Sequence, residues 1–541
     1  MDVRTATRAP RGRARIAALA VVAVVSSALV AGTAAPAPAA QSPEQGGEIV
    51  YGLEAETGGG WCPSTARLAI SGIEVAAAIY DTLTVPNSKG EYVPYLAESV
   101  EPNADFTQWT ITLRDGITFH DGTALDANAV AQNFEAYRSS ALIGAALKNI
   151  TNVTVDSPTQ LTVTTGVPWV AFPSFLFLDG RFSIVAPAQL ADPGTCAENL
   201  IGTGPFKLES RTINQELVAV RNPDYWQEDA RGNQLPYLDK ITFRPVAEAN
   251  QRVNSLQGGQ LDVIHTSDGQ QVDALDQLAD QYTLMKEKPG RREVRYYLMN
   301  TAKPPLDDLN ARKAVAMAID RDAINELRNN GIFDVIDGPF DTKVPGYVKN
   351  TGYPKYNPKQ AKKLAEEYKT AHGGEFSVVL EHTNDPANTA EADIIKQQLA
   401  EVGIDATLKQ DDQTAFIAAA VGGNFSIMLW RNHPGNDPDQ NYHWWEPDSI
   451  LNFGKINDPE MQALMDQARS SSDPAERKRL YEDVNKRFGE QVYNVWAYDS
   501  EWTIGARQGV KGLAGPPLPD GNGKPLFMYG RHPLLGISVP Q

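Results

Sequence analysis

The stretch FSVVLEHTNDPANTAEADIIKQQLAEVGIDATLKQDDQTAFIAAAVGGNFSIML, residues 376–429, decides the fold class. Short runs of β-branched and apolar residues alternate in it with longer runs whose apolar residues recur at helical spacing. The pattern predicts strand, helix, strand, helix and strand in that order, at 376–380, 389–402, 404–408, 415–421 and 426–429. A βαβαβ succession is typical of an open parallel sheet, so the sequence predicts an α/β protein.

Helix start signals occur on both sides of this stretch. Asn357-Pro358, Asp458-Pro459 and Asp473-Pro474 each join a capping side chain to a proline suited to the first helical turn. Before about residue 300 the segments are mostly strand-like, beginning at 48–53, with interleaved helices such as the one that Asp126 is suited to cap. The second half therefore differs in architecture from the first.

The amino terminus predicts export from the cytoplasm. Five arginines precede an apolar run at 16–30, and Ala37-Pro38-Ala39 follows as a small-x-small cleavage site, which defines a signal peptide over 1–39. The sequence is compatible with cleavage of this segment and with its retention as a membrane anchor. The chain of 541 residues carries a net charge of -18, so nucleic acid and anionic lipid, which repel it, are excluded as partners.

Two cysteines lie beyond the predicted signal peptide, Cys62 and Cys196. An even pair in an oxidising exported compartment favours a disulfide over two free thiols. We therefore predict that Cys62 and Cys196 are bridged.

The run LRDGITFHDG, residues 113–122, has the densest set of catalytic-looking side chains, including Arg114, His120 and Asp121. Its two Asp-Gly steps are turn signals, because glycine adopts positive φ freely and aspartate tolerates it. Apolar residues alternate around these steps as they do in strands. A β-hairpin is thus favoured over an active site.

Motifs of hydrolases and nucleotide-binding enzymes are missing from the sequence. It contains no HExxH, no GxSxG and no Walker lysine, and among the seven histidines only His433 and His443 fall within one predicted loop. GTGPF at 202–206 is predicted to form a tight turn, because Pro205 removes an amide that a phosphate loop would use. We predict no catalytic residue, no metal ligand and no cofactor.

Several segments in fixed order carry a family resemblance. IYDTLTVPNSKGEYVPYLAESV (79–100), LRDGITFHDGTALDANAV (113–130), RNPDYW (221–226) and ARKAVAMAIDRDAI (311–324) are the best of them. With these, the chain resembles the peptide/nickel class, family 5, of extracytoplasmic solute-binding proteins that serve ABC importers. The resemblance implies a two-lobed periplasmic-binding-protein clamp of type II, of the large class with an extra subdomain in the first lobe. It also implies a monomer that meets the membrane only through the importer permease.

The resemblance also implies where the lobes begin and end. Lobe I takes residues 40–295 with the extra subdomain at about 80–195, lobe II takes 296–500, and 501–541 return to lobe I. The chain then crosses between lobes near Arg295 and near Tyr498-Trp502, and two extended crossings make a hinge.

Ligand-binding candidates follow from the loops that this class places in its cleft. The loop EAETGGGWCP, 54–63, contains Glu56 and Trp61; the other candidates are Trp430, Asn432, His433, Asp437, Asp439 and Trp502. Peptide binders of the class carry an aspartate shortly after the tryptophan that Trp430 matches, and here the first aspartates are Asp437 and Asp439. Either one of them binds the ligand's amine or the ligand has none.

The predicted function is capture of a peptide-like solute between two lobes and its delivery to an ABC importer. Trp444 and Trp445 suit core packing and stacking on sugar rings equally, so an oligosaccharide ligand is the alternative. A secreted hydrolase and a sensor or chaperone of the same fold are the other classes.

Overall fold

Two large sheets and one small one account for most strands. The computed structural model describes residues 45–56, 60–63, 65–140, 143–192 and 194–540, so the predicted signal peptide at 1–39 lies outside the described residues. The strands in the described part are β1 (Glu48–Leu53), β2 (Thr84–Pro86), β3 (Tyr92–Pro94), β4 (Ala97–Pro102), β5 (Gln108–Leu113), β6 (Ile150–Ser157), β7 (Gln160–Thr165), β8 (Phe206–Thr212), β9 (Glu216–Arg221), β10 (Lys240–Pro245), β11 (Val263–Thr266), β12 (Tyr282–Lys286), β13 (Glu293–Met299), β14 (Ser377–Thr383), β15 (Asp405–Asp411), β16 (Ile427–Asn432), β17 (Asn494–Ser500) and β18 (Thr503–Arg507).

Helices cover the sheets and fill most connections in the second half. Those in the described part are α1 (Ile70–Ile79), α2 (Ala127–Arg138), α3 (Phe172–Phe175), α4 (Pro187–Ala191), α5 (Ala249–Gln257), α6 (Gly269–Asp276), α7 (Leu309–Ala318), α8 (Arg321–Asn329), α9 (Pro358–Ala371), α10 (Pro386–Glu401), α11 (Gln413–Gly422), α12 (Tyr442–Trp445), α13 (Pro459–Ser470) and α14 (Pro474–Gln491).

The first large sheet has seven strands in the order β12-β18-β11-β1-β10-β9-β8. Its central strand β1 runs parallel to β10 and to β11, and the outer strands pair antiparallel. β1 begins at the residue that the sequence predicts, and the side chains of Ile49, Tyr51 and Leu53 are buried in the core.

The second large sheet has five strands in the order β15-β14-β16-β13-β17. β14 runs parallel to β15 and β16, which confirms the parallel βαβαβ unit predicted from residues 376–429. β13 pairs antiparallel with β16 and with β17, so the complete sheet is mixed. The two added strands come from distant parts of the sequence, and both are buried throughout.

A four-stranded antiparallel sheet, β4-β5-β7-β6, lies within the region expected to be the extra subdomain. It has its own apolar core, in which Trp109, Phe134 and Trp169 are buried. The architecture is thus that of a two-lobed clamp with an additional sheet.

The chain passes between the two large sheets twice. The first passage lies between β12 and β13 at residues 287–292, and the second lies between β17 and β18 at 501–502. Arg292 joins them, because its guanidinium is 3.3 Å from Asp499 and also pairs with Glu501. The buried ion pairs of Arg292 thus hold the two connections side by side.

The run 113–122 forms turns, as predicted. Gly116 and Gly122 have φ of 78° and 85°, and Thr118 bridges Ala124 across the second turn. The His120 Nε2 atom lies 3.0 Å from the Gly204 carbonyl, and burial lowers the pKa of His120 to about 4. His120 is therefore a neutral structural residue that joins the turn to residues 202–204.

The predicted disulfide is also confirmed. Cys62 and Cys196 are bridged, with Cα atoms 5.2 Å apart, within the usual span of such a bond. It ties the loop after β1 to the segment that follows α4.

Candidate functional site

Charged residues from both large sheets meet at the ends of three strands. Glu54 follows β1, Glu293 begins β13, and Arg431 lies near the end of β16. The Arg431 Nη1 atom is 3.5 Å from Glu54 Oε1, and its Nε atom is 3.6 Å from Glu293 Oε1. Open sheets place ligand sites at such strand ends, so this is the first place to look for one.

Backbone contacts fix the orientation of these side chains. The Glu54 N–H donates to His265 Nε2 at 2.9 Å, which anchors the loop directly after β1. On β16, Arg431 follows Trp430, and successive side chains of a strand point to opposite faces. Arg431 therefore faces Glu54 while Trp430 faces the helices behind the sheet.

Glu293 is buried and accepts hydrogen bonds from two predicted site residues. His433 Nε2 donates to it at 2.9 Å and Trp502 Nε1 donates at 3.4 Å. Burial opposes ionisation of Glu293, but the Arg431 guanidinium and His433 outweigh it and hold the pKa of Glu293 below its usual value. The carboxylate is therefore charged, and it links β13, β16 and the start of β18.

Stacked aromatic rings complete this group. The His433 ring lies on the Tyr529 ring, with centroids 4.7 Å apart and planes at 17°. The Arg431 guanidinium lies 5.8 Å from the Trp502 ring. The structure thus brings His433 and Trp502 together, as the sequence analysis expects of site residues, and adds Glu54, Glu293 and Arg431 to them.

Trp430 belongs to a separate aromatic group. Its ring stacks on Phe416 at 5.3 Å and 23°, and it meets Phe453 edge-on at 5.6 Å. Trp444 also contacts Phe453, at 5.6 Å, and both tryptophans are half-buried. The side chain of Asn432 is buried and donates to the Pro339 carbonyl at 3.2 Å, so it braces the sheet.

The two candidate aspartates are held by arginines of lobe II. Asp437 receives both terminal nitrogens of Arg477 at 2.9 Å. Asp439 is fully buried and accepts from Arg469 Nε at 3.0 and 3.2 Å. In this arrangement both carboxylates are neutralised by internal partners and neither is left to pair with an amine.

Asp439 also connects lobe II to the extra subdomain. Trp169 Nε1 donates to its Oδ2 atom at 2.7 Å, and the Tyr481 hydroxyl contributes a further bond at 3.2 Å. The loop of residues 433–443 makes more such contacts, since the Tyr92 hydroxyl donates to Gln440 Oε1 at 2.7 Å. We call this set of contacts around Trp169 and Asp439 the clasp.

Glu56 and Trp61 lie on the lobe I side. Glu56 accepts from Arg211 at 3.1 Å and from the backbone N–H of Asn214 at 2.8 Å, so its charge is used within lobe I. Trp61 is 4% exposed, packs against Tyr80, and lines a small cavity, and its Nε1 atom has no partner among the described residues. Residues 57–59 of the same loop lie outside the described part.

Among the described residues of the range 45–540, neither a metal centre nor a membrane span is found. No group of three or more His, Cys, Asp or Glu side chains is placed to hold a metal ion there. None of the helices described combines the length and the apolar character needed to cross a membrane.

Glu54 and Arg431 could have been chosen from the sequence by one signal. Glu54 directly follows β1 and Arg431 lies near the carboxyl end of β16, where an open sheet exposes its ligand site, whereas Glu293 begins β13. Tryptophan and aspartate are the site residues predicted from the sequence instead, because those types define the class of peptide binders.

Comparison with known proteins agrees with this architecture. The Nickel-binding periplasmic protein of Escherichia coli (strain K12) is 26% identical over 449 residues, which cover 79% of this chain and 84% of that protein. The Probable D,D-dipeptide-binding periplasmic protein DdpA of the same strain is 27% identical over 437 residues, covering 78% and 82%. The structure of the PBP AgaA in complex with agropinic acid, from A. tumefaciens R10, superposes with a TM-score of 0.79 at 24% identity and covers 92% of this chain and 99% of that one.

A family model also matches the chain directly. The model for "Bacterial extracellular solute-binding proteins, family 5 Middle" matches residues 91–449. The match extends over more than half of the sequence. The chain therefore belongs to the family 5 bacterial extracellular solute-binding proteins.

Proposed function

We propose that this protein captures a peptide-like zwitterion between its lobes and delivers it to the permease of an ABC importer. The observation that carries the proposal is the pair formed by Glu54 of lobe I and Arg431 of lobe II, 3.5 Å apart. A solute with an ammonium and a carboxylate group matches both charges. Residues 1–39 direct export in this proposal, and the protein acts as a monomer outside the cytoplasm.

The exposure of the two charges supports this assignment. The Arg431 side chain is 35% exposed and that of Glu54 is 20% exposed, so a ligand can reach them. Arg431 presents several donors to a ligand carboxylate, and Glu54 accepts from an ammonium group. Asp437 and Asp439 are paired with arginines, which leaves Glu54 as the better partner for an amine.

The name of one relative supports a peptide-like ligand, and that of another does not. One relative is named as D,D-dipeptide-binding and another as nickel-binding.

Capped peptides test the proposal by calorimetric titration. The probes are alanyl-alanine, its N-acetylated form and its C-amidated form. We expect Glu54→Gln to lower the affinity for alanyl-alanine at least tenfold, which is about 1.4 kcal/mol, and to leave the affinity for the acetylated form nearly unchanged. Arg431→Gln should likewise lower the affinity for alanyl-alanine and leave the affinity for the amidated form nearly unchanged.

Glu56→Gln is the matched control, because Glu56 is a neighbouring carboxylate that Arg211 and Asn214 already occupy. Its affinity for alanyl-alanine should stay within twofold of the native value. Equal losses for capped and uncapped peptides in the Glu54 and Arg431 variants would contradict recognition of the two termini.

An oligosaccharide is the second candidate ligand, favoured by the half-buried rings of Trp430 and Trp444, which both contact Phe453. These rings form a group separate from Glu54 and Arg431, so a sugar stacked on them would bind at a different place from the zwitterion. Aromatic faces stack on sugar rings without needing fixed charge. Trp430→Ala would then abolish binding of a neutral oligosaccharide, and added salt would leave that binding unchanged. Uptake by vesicles that contain the cognate importer separates transport from sensing.

A further inference from the structure

A short segment of lobe I lies against the 433–443 loop and carries an acidic residue. Phe175 is 6.5 Å from His443, and Phe177 is 6.0 Å from Tyr92, which itself bonds to the loop. Asp179 follows directly in this segment. Its position is thus beside the contacts that join the lobes.

The backbone of this segment is held in an unusual conformation. Leu178 and Asp179 have φ of 45° and 56°, in the left-handed region that a bulky residue such as leucine rarely adopts. Strained backbone of this kind persists where the surrounding structure enforces it and is concentrated at ligand sites. The strain fixes the direction of the Asp179 side chain.

The Asp179 carboxylate is only half paired. Its side chain is 10% exposed, and its Oδ2 atom lies 3.3 Å from Arg181 Nη1. Its Oδ1 atom is buried and has no hydrogen-bond partner in the described part of the chain. Arg181 is shared with the Leu68 carbonyl, to which its Nε atom donates at 3.0 Å. A buried carboxylate oxygen without a donor is costly, so its retention calls for an external partner.

Asp179 also acts on residues of the candidate site. Burial raises its pKa, and the charges of Arg181 and His433 oppose that change. Its own charge in turn raises the pKa values of Tyr92 and Tyr529, although burial is the larger cause for both. His433 and Tyr529 form the stacked pair beside Glu293. The carboxylate thus belongs electrostatically to the space between the lobes.

The glutamates near this space are more fully paired than Asp179. Arg431 contacts Glu54 and Glu293, and His433 also bonds to Glu293. Asp179 has Arg181 at one carboxylate oxygen, and its other oxygen has no partner among the described residues. A positive group of a ligand would complete the pairing of Asp179.

We propose that Asp179 binds a second cationic group of the ligand, an ammonium or guanidinium, so that basic peptide-like solutes are selected over neutral ones. The proposal rests on the proposed function for the first two charges. It adds a specificity-determining residue in lobe I, supplied by the strained segment and its unpaired oxygen.

Asp179→Asn and Asp179→Gly test the role of the carboxylate. Asparagine and glycine both tolerate the left-handed conformation, so the backbone should be retained, and thermal unfolding checks this. Asp115→Asn is the control, because Asp115 is an exposed aspartate in a turn of the extra subdomain. The probes for titration are alanyl-lysine, alanyl-alanine and agmatine.

We expect both Asp179 variants to lower the affinity for alanyl-lysine at least tenfold and to change the affinity for alanyl-alanine less than twofold. Asp115→Asn should leave the affinity for alanyl-lysine unchanged. Equal losses for the two peptides, or no preference of the native protein for alanyl-lysine, would overturn the role of Asp179 while the zwitterion site stands. Binding of agmatine alone, dependent on Asp179, would support the cation site and overturn the zwitterion. Binding of none of the three would overturn both.

Discussion

Trp169→Phe should weaken ligand binding although Trp169 belongs to the clasp and to no ligand site. Trp169 lies in the extra subdomain, and its Nε1 atom donates to Asp439 of lobe II at 2.7 Å. Both side chains are fully buried. In a two-lobed clamp this bond forms when the lobes close, so its loss destabilises the closed form alone.

The size of the effect follows from the type of bond. A hydrogen bond to a charged group contributes about 1.5 to 3 kcal/mol net, equivalent to about 10- to 150-fold in affinity when the free protein is mostly open. Asp439 keeps Arg469 and Tyr481 as partners after the substitution, so the carboxylate is not left unpaired. The lower end, about tenfold, is therefore expected.

Trp109→Phe provides the matched control. Trp109 is buried in the same subdomain, 3% exposed, but its Nε1 atom has no partner among the described residues. The two variants lose the same atoms, and only one loses a hydrogen bond. Calorimetric titration measures the affinities, and small-angle scattering measures closure at saturation.

Since Trp169 does not touch the ligand, every ligand should lose affinity by the same factor in Trp169→Phe. Equal affinities of the Trp169 and Trp109 variants would refute the clasp. A loss that differs from ligand to ligand would instead place Trp169 in the binding site.

Three further predictions concern stability. Reduction of the Cys62–Cys196 bond should lower the free energy of unfolding by about 4 to 5 kcal/mol in the chain-entropy model, because the bond spans 134 residues; denaturant titration with and without reductant measures this. His120→Ala should lower the melting temperature and change ligand affinity less than twofold, because the ring bonds to the Gly204 carbonyl; calorimetry measures both. Burial raises the pKa of Glu74 from 4.5 to about 8, so the folded state keeps a proton that the unfolded chain releases, and stability should fall as the pH rises through this interval. Between pH 5 and pH 8, Glu74→Gln should remove about 3 to 4 kcal/mol of that fall. Urea titrations at the two pH values measure the free energy of unfolding, and an equal fall in both proteins would contradict the prediction.

Local signals in the sequence predict most helices well. Asp126, Asn357 and Asp458 cap helices as expected, each accepting from a backbone N–H of the first turn. The start of α10 is three residues earlier than predicted, at Pro386, because Asp385 caps it by accepting from the Asn388 N–H. The apolar spacing begins only at Thr389, whereas the Asp385-Pro386 pair marks the true start.

The pairing of distant strands is harder to predict. β13 joins β16 and β17, although more than a hundred residues separate it from either one. Both β13 and β17 are buried on both faces and have no alternation that would indicate a partner or a direction. The parallel unit was therefore predictable from the sequence and the mixed sheet was not.

The candidate site shows the same limit for charges. Asp437 and Asp439 are the first aspartates after Trp430, later than the class of peptide binders places one, and their partners Arg477 and Arg469 come from α14 and α13. No sequence pattern near the aspartates predicts that those arginines will pair with them. Residue type and spacing therefore single out the 433–443 loop as a candidate, whereas the pairing of its carboxylates depends on tertiary contacts.

Ligand specificity in such a clamp depends on the charges that remain incompletely paired after folding. Arg477 and Arg469 remove two carboxylates from that set, and Arg431 is divided between Glu54 and Glu293. Because a ligand can stabilise the closed form only through contacts that the closed protein does not already satisfy, the fully paired aspartates contribute to closure and the partly paired groups contribute to selection. In a screen of solutes, affinity should accordingly depend more on the positive charge of the solute than on its size.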